Sequence, residues 1–232
     1  MSWQAPEGMD EYLKATELCD CDNIELQSKT KDIITGAETP KEAALKLFSF
    51  VRDGIPWSLD HCDTKASATL KKGWGDCANK TNLQVALLRA VVIPARYHQG
   101  KIKREWMKGV VSEFMYNRIP EIIWFHPWCE CYLAEKWIAC DSIFDKPLFE
   151  AMLKAGLVTE KQIPTIDWDG DSDLIVMKPW RTEDVGSFPS LDDVFRKAEK
   201  EIKRPRVPAT LCGWFFMFLS NRHTDRLRKG KK

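Results

Sequence analysis

Lys71-Lys72-Gly73-Trp74-Gly75-Asp76-Cys77-Ala78-Asn79 is the stretch that decides how this chain reads. Two glycines loosen the backbone into a sharp turn. The turn runs straight into a helical pattern, with Leu83, Ala86, Leu87 and Ala90 on one apolar stripe. Cys77 is thereby predicted at a helix N-terminus. Free N–H groups and a partial positive charge gather there, so the helix end is expected to lower the thiol pKa. A cysteine so placed is a nucleophile or a structural thiol. What separates the two is whether a base and an orienting acid follow.

Both follow. His126-Pro127-Trp128-Cys129-Glu130-Cys131-Tyr132 and Trp137-Ile138-Ala139-Cys140-Asp141 lie in two predicted strands, residues 122–132 and 136–143, joined by a tight turn near Ala134-Glu135. Strand alternation puts His126, Trp128, Glu130 and Tyr132 on one face. If a two-residue turn pairs Leu133 with Lys136, Asp141 joins that face one diagonal step from His126. A slip of one residue would remove it. Of the four histidines, His61, His98, His126 and His223, only His126 has this setting. Thiol, imidazole and carboxylate together are the parts of nucleophilic acyl transfer: attacker, base and orienter. The backbone N–H of Cys77 is one expected donor to the oxyanion of such a reaction, and the indole N–H of Trp57 is a candidate second. Spacing alone fits a core tryptophan at position 57 equally well.

Outward from these motifs, Thr39-Pro40-Lys41-Glu42 opens a helix, with a capping threonine, proline in the first turn and Glu42 three residues after the cap. Ala43, Ala44, Leu47, Phe48 and Val51 follow at helical spacing, and Ile55-Pro56-Trp57 begins an extended segment. Residues 58–72 read as loop or short helix. Residues 93–97 read as a strand, and residues 101–120 carry no clear type. Helices are predicted through Phe149, Met152 and Leu153 and over residues 191–202, and a final apolar segment covers 211–219. A nucleophile helix followed by antiparallel strands gives an α+β fold. The organisation expected is a lead-in over 1–40, a core over 41–145 and an elaboration over 146–232.

Three stretches resemble the transglutaminase-like superfamily of papain-type cysteine enzymes, in its compact microbial form. They are Lys46 to Trp57, then Gly73 to Ala90 with Ile93-Pro94-Ala95-Arg96-Tyr97, then the His126 and Asp141 strands. The resemblance covers about residues 41–145. It implies a papain-like core in which the nucleophile helix packs on an antiparallel sheet. It also implies Cys77 as nucleophile, His126 as base, Asp141 as orienter and Trp57 as the oxyanion-stabilising aromatic. The implied chemistry is attack on an amide carbonyl, then transfer of the acyl group to water or an amine. The added β-domains of animal transglutaminases do not fit in 232 residues.

Composition narrows the partners. Lysine plus arginine number 35 against 34 acidic residues, which gives no electrostatic reason to expect nucleic acid or an anionic membrane. The N-terminus shows no signal-peptide pattern and the longest apolar run is too short to span a bilayer, so a cytoplasmic protein with reduced thiols is expected. The substrate expected is a peptide or small amide; no cofactor and no metal are expected, and the oligomeric state is open. Three rivals stand beside this account. A zinc site from His126, Cys129, Cys131 and Cys140 is disfavoured because His126 faces away from Cys129 and Cys131. Residues 167–173 resemble a calcium loop but lack its glycine position and its final glutamate. A catalytically inactive peptide-binding scaffold would use the same cleft with an ordinary thiol.

Overall fold

The computed structural model describes residues 3, 4, 6–202 and 211–230, with only the backbone described for 197–202 and 211–214. The chain forms α1 (Ile24–Ile33), α2 (Pro40–Gly54), α3 (Ala66–Lys72), α4 (Cys77–Arg89), β1 (Ala95–Lys103), α5 (Glu113–Tyr116), β2 (Ile122–Leu133), β3 (Lys136–Ala139), α6 (Lys146–Lys154), β4 (Arg181–Phe188), α7 (Leu191–Ile202) and α8 (Leu211–Arg228). The fold is α+β.

The cap of α2 forms as its sequence directs. Thr39 Oγ1 accepts the Glu42 N–H at 3.2 Å, and the Glu42 carboxylate reaches back to the Glu38 N–H at 2.8 Å. Ala43, Ala44, Leu47, Phe48 and Val51 form its buried face. α4 is different, for every residue from Ala78 to Arg89 is buried. A helix enclosed on all sides must satisfy each polar side chain internally. Asn82 bonds the carbonyls of Leu18 and Thr64 and accepts from Tyr97 Oη. Arg89 bonds those of Lys14, Ala95 and Pro189. Lys80 Nζ bonds those of Arg52 and Ile55, capping the C-terminal end of α2. These bonds make α4 the central post of the molecule, against which the lead-in, α2 and the sheet are pinned.

One face of the post meets an antiparallel sheet of order β3-β2-β1-β4. Leu133 pairs with Lys136, and Ala134 and Glu135 take φ of 47° and 61°. Two successive left-handed residues define a type I′ turn, whose twist matches that of a hairpin. The register on which the His126–Asp141 parity depends is therefore the one formed.

Several elements differ from expectation. β3 ends at Ala139 rather than 143. Cys140 still donates to Cys129 O at 2.8 Å, but the Asp141 N–H turns to Leu174 O at 3.0 Å. The extended segment at Trp57 is a single bridge to Gly75, not a strand. β4 was not legible because its residues are largely exposed and polar, the composition of a solvated edge. The final apolar segment lies in the longer helix α8, which packs on α6 and α5. Among the described residues no helix is long and apolar enough to cross a membrane.

Candidate active site

Cys77 is the first residue of α4. Asp76 caps the helix: its Oδ1 accepts the Asn79 N–H at 3.0 Å, and Asn79 Oδ1 accepts the Asp76 N–H at 3.1 Å. The loop before it is shaped by two glycines. Gly73 has φ of 76°, closing α3 in a left-handed conformation. At Gly75 a Cβ would lie 2.7 Å from the Asn79 Cβ, so no side chain fits beneath the cap.

Helical spacing carries the direction of Cys77 along α4. Thr81, one turn on, donates to Pro127 O at 3.2 Å. Gln84, a further turn on, donates to Cys140 O at 2.9 Å and accepts from Ser142 Oγ at 2.6 Å. Residues 77, 81 and 84 lie on one helical face. That face meets β2 beside His126 and the segment around Asp141. The Thr81 bond supplies the carbonyl of Pro127 with a partner at the point where β3 has left the sheet.

His126 is fully buried, and neither ring nitrogen has a hydrogen-bond partner. Its Nε2 lies 3.9 Å from Asp141 Oδ2. The Asp141 carboxylate is itself fixed, accepting N–H bonds from Ile143 at 3.2 Å and Val176 at 3.1 Å. With Nε2 turned toward Asp141, Nδ1 is the nitrogen left for another group. Trp128 flanks the ring at 6.2 Å between centroids.

The electrostatics overturn one expectation. Burial pushes the Cys77 thiol well up from its ordinary value, and the carboxylates of Asp76 and Asp141 push it the same way. An N–H bond from Ala78 opposes them but loses. The helix end does not lower this thiol on its own, because burial, seconded by the Asp76 and Asp141 carboxylates, outweighs it. Burial also pushes Asp76 up to about 6, against the N–H groups of Asn79 and Ala78.

Trp57 is buried, and its indole N–H has no hydrogen-bond partner. Its backbone bridges Gly75 in the nucleophile loop, and its ring meets Trp106 edge-on at 5.4 Å. All four residues singled out from sequence thus fall in one region. No hydrogen bond joins Cys77 Sγ to His126.

The rival sites read differently. Cys129, Cys131 and Cys140 are buried, with Cys140 Sγ 4.0 Å from Cys131 Sγ. Among the described residues no group of three His, Cys, Asp or Glu side chains is arranged to hold a metal ion. In the acidic loop, Asp167 pairs with Arg52 and Lys146, Asp171 pairs with Lys41, and Asp169 accepts the N–H groups of Asp171 and Ser172. Sequence reasoning passed over Thr81 and Gln84, although polar residues at helical spacing from Cys77 were visible. It also passed over Asp145, whose place before Lys146-Pro147 is a helix-cap signal.

A helix headed by cysteine, laid on an antiparallel sheet that carries a buried histidine beside an aspartate, defines a papain-like arrangement. The chain belongs to the transglutaminase-like superfamily, whose model matches residues 27–142. The match begins within the segment read as lead-in. Among solved structures the chain is similar to a candidate cysteine protease from Cytophaga hutchinsonii, at 22% identity over 59% of this chain and 42% of that one, with a TM-score of 0.46. It is also similar to a candidate protease from Parabacteroides distasonis, at 10% identity over 56% and 24%, TM-score 0.38. A third is red sea bream transglutaminase, at 15% identity over 59% and 26%, TM-score 0.36. The chain thus covers less than half the length of each. No curated protein matches it.

Proposed function

We propose that this protein cleaves or transfers at an amide bond through an acyl-enzyme on Cys77. Sγ attacks the carbonyl carbon as its proton passes to Nδ1 of His126, which then gives a proton to the departing amine. Asp141 steadies the imidazolium through Nε2. Trp57 Nε1 and the Cys77 N–H receive the oxyanion. The substrate class is a peptide or small amide. Hydrolysis is favoured over transfer because water is always present and, among the described residues, no feature marks an amine-acceptor site.

One observation carries this reading. His126 is buried with both nitrogens unpartnered, beside a carboxylate that is itself fully fixed. Leaving a buried polar group unbonded costs about 1–3 kcal/mol, and a role in chemistry explains why that cost is retained. The upward push on Cys77 favours the other reading, an inactive scaffold that holds peptides. An active-site acylation assay separates the two. Cys77 is expected to be acetylated by p-nitrophenyl acetate in the native chain, and not in His126→Ala. Equal, slow acetylation of both would establish the scaffold.

A further inference from the structure

Trp57 is held by charged groups that lie outside the matched segment. We propose that Asp145 and Arg228, assisted by Asn221, are positioning residues that fix Trp57 as the oxyanion donor of the site. This rests on the reading of Cys77 and Trp57 given above.

The contacts are made to the backbone. The Trp57 N–H donates to Asp145 Oδ2 at 2.9 Å, and Trp57 O accepts Arg228 Nη2 at 2.8 Å. The two side chains close on each other as a fork, Nε to Oδ1 and Nη2 to Oδ2, both at 2.9 Å. Two residues on, Asn221 does the same with a neutral amide: its Oδ1 accepts the Leu59 N–H at 2.8 Å and its Nδ2 donates to Leu59 O at 3.0 Å. α8 thus serves residues 57–59 as a neighbouring strand would. On the other edge, Ser58 N–H donates to Gly75 O at 3.0 Å and Gly75 N–H to Pro56 O at 3.2 Å. The segment is a rib gripped between the nucleophile loop and the C-terminal helix.

This grip has a chemical use. A donor stabilises an oxyanion only if it already points where the charge will develop. The indole N–H of Trp57 is buried and uncommitted, and its backbone is fixed at both N–H and C=O. The Asp145 side chain is 1% exposed and that of Arg228 11%. Such a buried pair is weak evidence for stability, because hydrophobic replacements are often as stable. What a fork adds is geometry, and here the geometry is that of Trp57. It gives the elaboration after residue 145 a task that the matched segment cannot perform for itself.

The test uses two reactions of Cys77 in the full chain, followed by mass spectrometry. Acetylation by p-nitrophenyl acetate forms the C–S bond, places the carbonyl electron pair on oxygen, and then expels p-nitrophenoxide. It needs the oxyanion donor. Carbamidomethylation by iodoacetamide displaces iodide at a saturated carbon and needs none. In Arg228→Met the acetylation rate is expected to fall about tenfold while alkylation stays within about twofold. Trp57→Phe, which keeps an aromatic side chain but replaces the indole and deletes its N–H, is expected to lose about a hundredfold in acetylation alone. Asn221→Ala gives a milder variant should Arg228→Met unfold, with a loss of about threefold. Arg228→Lys retains charge without the fork and is expected to rescue little. Acetylation and alkylation falling together, or neither falling in Arg228→Met and Asn221→Ala, would overturn the positioning role. Wild type that alkylates but never acetylates would overturn the acyl-enzyme reading beneath it.

Discussion

Two histidines lie on the same face of the sheet, and they could hardly be treated more differently. His98 stands opposite Trp128 and stacks on it at 4.4 Å. Its Nδ1 meets Glu130 at 2.8 Å and its Nε2 meets Asp184 at 2.6 Å, with Ser187 closing the ring of bonds. His126 sits two residues from the same tryptophan, more deeply buried, with neither nitrogen bonded. A histidine that serves structure is saturated by its neighbours. His126, which the proposed function makes the base, is left open, and the surrounding fold bears the cost.

Substitutions should break that pairing unequally. The largest effect is expected at His126. His126→Ala should slow Cys77 acetylation by about a thousandfold, a general base being worth roughly 10²–10⁴; a loss under tenfold would remove the base from the account. Asp141→Asn comes next. The amide keeps the shape but not the charge beside Nε2, and about a hundredfold loss is expected, read from the same assay. Thr81→Val deletes the bond to Pro127 O and strands a buried carbonyl. It should cost about 1–3 kcal/mol in urea unfolding and only a fewfold in acetylation.

His98→Gln should leave acetylation within about twofold and act on stability alone. Burial opposes the charged imidazole, but the bonds to Glu130 and Asp184 outweigh it and raise His98 above its ordinary value. Its contribution is therefore complete below about pH 6.5 and lost as pH rises through the folded value. Glu130 runs the other way. Burial would raise it, yet bonds from His98 and Arg96 hold it at about 2. Its contribution is complete above about pH 4.5 and lost as pH falls toward 2. The stability gap between wild type and His98→Gln should thus peak near pH 4.5–6.5, at about 1 kcal/mol. A gap that is flat with pH, measured by urea unfolding across pH 4 to 9, would break the saturated side of the comparison.

Much of the region around Cys77 was legible. The helix that Cys77 begins and the hairpin parity of His126 and Asp141 follow from local rules, namely periodicity and the two-residue turn. The missing parts are nonlocal. β4 carries no apolar alternation, so nothing marks it before β1 is there to pair with it. The grip of Arg228 on Trp57 joins residues 171 positions apart, and no spacing rule reaches that far. The state of Cys77 was misjudged for a related reason. The helix end is visible in sequence, but the burial that outweighs it and the approach of the Asp141 carboxylate appear only in the fold.

Under the proposed function the thiol depends on His126, and the direct measurement is the pH profile of Cys77 alkylation by iodoacetamide. It would be followed by mass spectrometry in wild type, His126→Ala and His98→Gln. The account predicts labelling near pH 6 in wild type and His98→Gln, lost in His126→Ala, where burial and the Asp76 and Asp141 carboxylates hold Cys77 unreactive until above the ordinary thiol range of about pH 8. Wild type and His126→Ala with the same profile, both labelling only at high pH, would contradict it.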